Sequence, residues 1–131
     1  MASNRSPSLS WQGEPEGTLS FALICEDPDA PAGVWTHWVV FNLPASARSL
    51  FGGVSPDEAL LGSGQQGLND FQKIGYGGPC PPLGQKHRYE FKLYALDIML
   101  PLTGAVTRSN LLAAMEGHVL AKAKLTGMFR R

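Results

Sequence analysis

Charge of either sign is scarce. Charged residues make up 17% of the 131, and eleven basic side chains balance eleven acidic ones to a formal net charge of zero. Binding to nucleic acid through its phosphates needs a basic face or stripe. The only basic cluster is the terminal Arg130-Arg131, so no nucleic-acid partner is expected. Cysteine is nearly absent: Cys25 and Cys80 stand alone. That excludes a disulfide framework and a zinc ribbon, and leaves two free thiols or one Cys25–Cys80 bridge. No apolar run approaches the roughly 20 residues of a membrane-spanning helix, so no transmembrane segment is expected. No apolar segment follows Met1-Ala2-Ser3-Asn4-Arg5, so no signal peptide is expected and the cytoplasm is the expected compartment. Internal repeats and βαβ alternation are also missing, which excludes a solenoid and a doubly wound parallel sheet.

What is present reads as mainly β. Apolar residues are 44% of the chain, enough for one core in a single domain over residues 1–131. A turn-rich Trp11–Gly17 precedes a strand over Thr18–Glu26. Leu19, Phe21, Leu23 and Cys25 share one face of it, and Ala22 and Ile24 are apolar on the other. Both faces are therefore expected to be covered. Trp35–Leu43 is rich in β-branched and aromatic residues and stops at Pro44. Tyr89–Asp97 alternates most clearly. Residues 45–85 form a long irregular stretch, of the kind that is functional or hides short elements. Beyond Pro101 and Gly104, Thr107 or Ser109 can cap a helix running to about Lys124. Leu111, Leu112, Met115, Val119, Leu120 and Ala123 supply its apolar stripe, and Gly117 falls inside it. Leu125–Arg131 is then a short last strand.

Gly62-Ser63-Gly64-Gln65-Gln66-Gly67 matches the dinucleotide fingerprint as a string. No helix pattern follows it, so it reads as loop glycine. His37, His87 and His118 are not spaced to hold a metal, and neither metal nor cofactor is expected. His118 falls in the expected helix and reads as structural. His37 heads a strand, and His87 opens the strand that carries Tyr89. Strand ends beside loops are where sites are built. Asp27 and Asp29 flank Pro28. They close the strand as an Asx turn, or fix a histidine tautomer, or do acid–base or cation work. Tyr76–Gly84 mixes glycines, whose amides can cradle an anion, with stiffening prolines; it is an anion nest or a rigid connector. Cys80 in that loop is the better candidate nucleophile, since Cys25 at mid-strand reads as buried.

Taken in order, five strings resemble the phosphatidylethanolamine-binding protein family, also called the Raf kinase inhibitor protein family. They are Asn4-Arg5-Ser6-Pro7-Ser8-Leu9-Ser10-Trp11, Asp27-Pro28-Asp29-Ala30-Pro31, Thr36-His37-Trp38-Val39-Val40-Phe41-Asn42-Leu43-Pro44, Gly75-Tyr76-Gly77-Gly78-Pro79-Cys80-Pro81-Pro82 running on to His87-Arg88-Tyr89, and Gly117-His118-Val119-Leu120. Leu43-Pro44 and Tyr94-Ala95-Leu96-Asp97 are similar to its bacterial and archaeal branch. The resemblance implies an antiparallel Greek-key β-sandwich with a C-terminal helix. It implies a pocket lined by Asp27, His37, Gly78, His87 and Tyr89 and supported by Asp29, Pro31, Gly77 and Pro79, with a cis Ala30–Pro31 peptide. The implied ligand is a small anion, phosphate or a phosphorylated head group. The implied partners are a kinase or protease that is inhibited, and a second copy in a homodimer. The family's N-terminal strand is missing, which implies an uncovered edge or core face and favours self-association. A lost signal sequence would change the expected compartment. Gln72 stands where a small residue often follows Asn69-Asp70-Phe71.

Three functions fit these residues. One is a binding protein whose imidazoles, phenol and amides donate to phosphate, more strongly below about pH 6.5 where imidazoles charge. Arg88 is the one motif cation that could point inward. Another is a hydrolase or transferase with His37 and Asp27 as acid–base pair and Cys80 or water as nucleophile. The third is an inhibitor of a kinase or protease. No nucleophile–base–orienter set is visible, so a non-enzymatic binding or regulatory role is expected.

Overall fold

The segment around Phe21, apolar on both faces, becomes the centre of the molecule. The computed structural model describes residues 6–31, 33–50, 52–54, 62–78 and 86–130, with backbone alone at 86–87 and 127–130. In chain order the elements are β1 (Leu9–Ser10), β2 (Ser20–Asp27), β3 (Trp35–Pro44), β4 (Ser49–Leu50), β5 (Gln65–Gln66), β6 (Lys86–Leu96), α1 (Arg108–Met115) and β7 (Val119–Arg130). They form two antiparallel sheets, β1-β4 and β5-β3-β2-β6-β7. β6 returns beside β2 rather than β3, the crossover a Greek key requires.

Every residue of β2 is buried. Phe21, Leu23 and Cys25 pack with Trp38, Val40 and Leu50 on one face, where β1 and β4 form the second layer. Ala22 and Ile24 pack with Val39, Phe41, Leu111 and Met115 on the other, where α1 and the segment before it close the core. The two-sided reading of this strand holds, with one exception. Leu19 is 54% exposed because pairing begins only at Ser20.

β3 carries two bulges. Between Phe21 and Leu23 it spends an extra residue, and Asn42 there takes φ 56°. Its side-chain amide donates to the Leu100 carbonyl at 2.9 Å and accepts from the Leu100 N–H at 2.8 Å. This fixes the lid over one core face. The second bulge falls between Cys25 and Glu26, opposite Trp38 and Thr36, and makes His37 the extra residue.

The helix is shorter than the sequence pattern suggests. Thr107 caps it through a reciprocal box with Asn110 (3.1 and 3.2 Å). It ends at Met115, and Gly117 follows at φ 82°, a left-handed conformation that ends helices. Residues 119–130 are then a long strand paired along β6, not helix followed by a short strand. Ala, Lys and Leu are good helix formers, but a ladder to β6 overrides local preference. His118 lies outside the helix; its Nδ1 sits 2.8 Å from Asp97 Oδ1, and its carbonyl accepts from the Asp97 N–H.

Candidate functional site

At the C-terminal end of β2 the chain brings Asp27, His37 and Tyr89 together. Period-two alternation from Trp38 would put His37 on the Val39 face. The bulge turns it to the other side, as bulges re-aim side chains. The His37 ring lies 5.2 Å from Tyr89 and 5.6 Å from Phe71, both edge-on. Trp35 meets Phe71 at 5.4 Å from the other side. Asp27 follows the Glu26–Glu90 pair along β2, level with the Tyr89 end of β6. His37 and Asp27 are each 3% exposed and Tyr89 is 6% exposed.

His37 is oriented by Gly77. Its Nδ1 is 2.6 Å from the Gly77 carbonyl, and the Gly77 N–H donates to the His37 carbonyl at 2.9 Å. A carbonyl can only accept, so Nδ1 carries the proton, and neutral His37 keeps its lone pair on Nε2. Burial holds the His37 pKa below its ordinary value. The Gly77 carbonyl, then the charges of Asp27 and Asp70, and the Gly78 backbone oppose that shift without cancelling it.

The Asp-Pro-Asp turn closes the strand, and the Gly77 carbonyl, not Asp27, fixes the His37 tautomer. Asp27 Oδ1 accepts from the Asp29 N–H at 2.8 Å, an Asx turn, while its charge acts on His37. Asp29 is bound by Arg88 on three bonds: backbone N–H to Oδ2 at 2.9 Å, Nε to Oδ2 at 3.0 Å and Nη2 to Oδ1 at 3.0 Å. This fork ties the turn to the start of β6. It also commits Arg88 to Asp29 on the surface, so Arg88 does not point inward. Pro31 is exposed in the same turn. The Ala30–Pro31 peptide is trans, correcting the cis expectation; no cis bond occurs among the described residues.

Other expected members are placed only in part. Gly78 joins the backbone that contacts the His37 ring. His87 stands in β6 opposite Phe129, two residues before Tyr89, and its side chain lies outside the described residues. Pro79 and Cys80 lie outside them too. Cys25 is a free buried thiol. Burial first, then Glu26 and Asp27, push that thiol's pKa far up, which disqualifies it as a nucleophile. The glycine string before Gly67 leads into β5, not a helix, as expected of loop glycine.

The loop residues that shape the cluster are Asn69, Asp70 and Phe71. Asp70 and Thr36 exchange bonds: the Thr36 N–H donates to Asp70 Oδ2 at 2.7 Å, and the Asp70 N–H donates to the Thr36 carbonyl at 2.9 Å. Asn69 donates to the Gly75 carbonyl at 2.8 Å and accepts from Phe71 and Lys73 N–H groups at 2.9 and 3.2 Å. Gln72 takes φ 63°, which explains why a small residue suits that position. The sequence signals for this set were the loop's length and the Asn69-Asp70-Phe71 string within the family resemblance.

The architecture is a two-sheet antiparallel β domain with one short helix and a histidine–carboxylate cluster at a strand end. Residues 2–130 match the family model described as phosphatidylethanolamine-binding protein. A UPF0098 protein of Methanothermobacter thermautotrophicus is 54% identical over 129 residues, covering 98% of this chain and 84% of that protein. Escherichia coli YbhB, also a UPF0098 protein, is 44% identical over 133 residues, covering 96% and 82%. Among solved structures, Escherichia coli YbcL, described as a new member of the mammalian PEBP family, superposes with a TM-score of 0.92. It is 38% identical, and the match covers 98% of this chain and 81% of YbcL. The PEBP homologue CT736 of Chlamydia trachomatis gives 0.87 at 42% identity, covering 97% and 82%. The chain belongs to the phosphatidylethanolamine-binding protein family.

Proposed function

We propose that this protein binds a phosphate group, free or on a phosphorylated head group, at the cluster of Asp27, His37, Gly78 and Tyr89, completed by His87, and that it acts by binding and not by catalysis. The observation that carries this is His37. Its Nδ1–H is taken by Gly77, so a proton added at Nε2 produces a cation inside an aromatic cage beside Asp27. Charging a buried imidazole is unfavourable alone. An entering anion offsets that cost with a charge-assisted bond. The family description supports the same ligand class.

A catalytic reading has less support. Cys25 is buried with its pKa raised, so its thiol is no nucleophile. Inhibition of a kinase or protease, a cytoplasmic location and a homodimer belong to the proposal as its biological setting. No helix of the described residues is long and apolar enough to cross a membrane.

The test is calorimetric titration of phosphoethanolamine into the wild type and into His37→Gln. Binding weakened at least about tenfold in the variant supports the site. Equal binding by both proteins contradicts it. Turnover of a phosphate or carboxylate ester that His37→Gln abolishes would contradict the non-catalytic part.

A further inference from the structure

Three grooves border the same strand, β7. One, of about 360 Å³, is lined by Lys92, Tyr94, Lys122 and Lys124. Two more, of about 190 and 140 Å³, run beside Ala121, Ala123 and Leu125, against Leu93 and Trp11. β7 ends the sheet order among the described residues, and its side chains from Val119 to Thr126 are all exposed, Leu125 to 60%. It is 12 residues long, contains no proline, and is paired with β6 without interruption from Ala121 to Arg130. Proteins normally keep such an edge short, bulged or covered.

We propose that the outer edge of β7 takes up an extended segment of a partner protein whose residues alternate acidic and apolar, as an added strand. The pattern of β7 dictates that alternation. Lys122 and Lys124 line the groove shared with Lys92 and also border the two apolar grooves, and along the strand they alternate with Ala121, Ala123 and Leu125. An incoming strand places its side chains on the same two faces. Its acidic residues meet the lysines, and its apolar residues extend the row of Ala121, Ala123 and Leu125 outward.

Charge selects the occupant. Glu26 and Glu90 hold Lys92, Lys124 and Arg108, so the patch is net positive before Lys122 is counted. A second copy of β7 laid antiparallel would bring these lysines against their own counterparts, and like charges across a ladder are destabilising. The lysines thus repel the chain's own copy and attract an acidic strand. The surface involves none of the residues of the His37 cluster.

The experiment uses a blocked octapeptide that alternates glutamate with valine, read by fluorescence anisotropy at low and high salt. Three comparators accompany it: the same peptide with lysine for glutamate, the same peptide with its backbone N-methylated throughout, and the protein variants Lys122→Glu/Lys124→Glu and Lys122→Glu alone. The single variant leaves the Lys124–Glu90 pair intact, so it keeps the fold. We expect the glutamate peptide to bind and salt to weaken it. N-methylation should weaken binding at least about tenfold by removing ladder donors, and Lys122→Glu should weaken it severalfold. The double variant should prefer the lysine peptide. Sedimentation should show no dimer that depends on Lys122 or Lys124. No binding, equal binding of the N-methylated peptide, or a dimer through β7 would overturn the proposal.

Discussion

His37 and Gly77 hold each other twice, ring to carbonyl at 2.6 Å and N–H to carbonyl at 2.9 Å. The pair joins β3 to a loop 40 residues away and decides which imidazole nitrogen is available. The third contact is steric. A β-carbon on Gly77 would lie 2.4 Å from Phe71 Cδ2, so glycine is what lets the Phe71 ring pack against the imidazole.

Gly77→Ala is therefore expected to push the Phe71 ring outward, which is feasible because Phe71 is 40% exposed. Stability should fall by only about 1 kcal/mol. The His37 pKa should rise toward its ordinary value as water reaches the ring, read by NMR titration. Gly67→Ala makes the contrast. There the added carbon meets the Val106 carbonyl oxygen at 2.2 Å, backbone that cannot swing away. A loss of about 2–3 kcal/mol in urea denaturation is expected. Equal losses at the two glycines would contradict this reading.

Stability should depend on pH through His37. Its folded pKa lies below the ordinary 6.5 because of burial. Below pH 6.5 the unfolded chain therefore binds the proton first. The contribution is present in full above pH 6.5 and is lost as pH falls through the folded value. Urea midpoints from pH 8 to about pH 5 should fall on the acid side, and His37→Gln should flatten that fall. An unchanged slope in the variant would place the effect elsewhere.

Glu26 shows what the other face of β2 demands. It is 2% exposed and accepts from Arg108 Nε at 2.6 Å and from Lys92 Nζ. Arg108 opens α1, so this carboxylate pins the helix to the sheet. Glu26→Gln should cost about 1–3 kcal/mol, since both cations are partly exposed and can reach water. Amide exchange should accelerate in α1 before it does in β2. Uniform acceleration would contradict the pinning role.

Much of the fold could be read from residues alone, and the failures have physical causes. β2 announced two buried faces through Phe21, Leu23, Ala22 and Ile24, and the structure buries all four. β7 was hidden because Ala121, Lys122, Ala123 and Lys124 suit a helix locally, while their strand form depends on β6. At the site, Asp27, His37 and Tyr89 stood out as polar or aromatic residues near strand ends. Their union depends on a bulge at His37, which no periodicity reveals. Asp70 and Phe71 reach that histidine across a loop whose path only the folded chain defines. Arg88 looked available for an anion, but a fork to Asp29 occupies it.

The most direct test of the anion site is the His37 imidazole pKa itself, followed by NMR with and without sulfate, which stays a dianion across the titration. Sulfate should move it upward, because the anion stabilises the charged ring. A His37 titration unchanged by sulfate would contradict anion binding at this cluster.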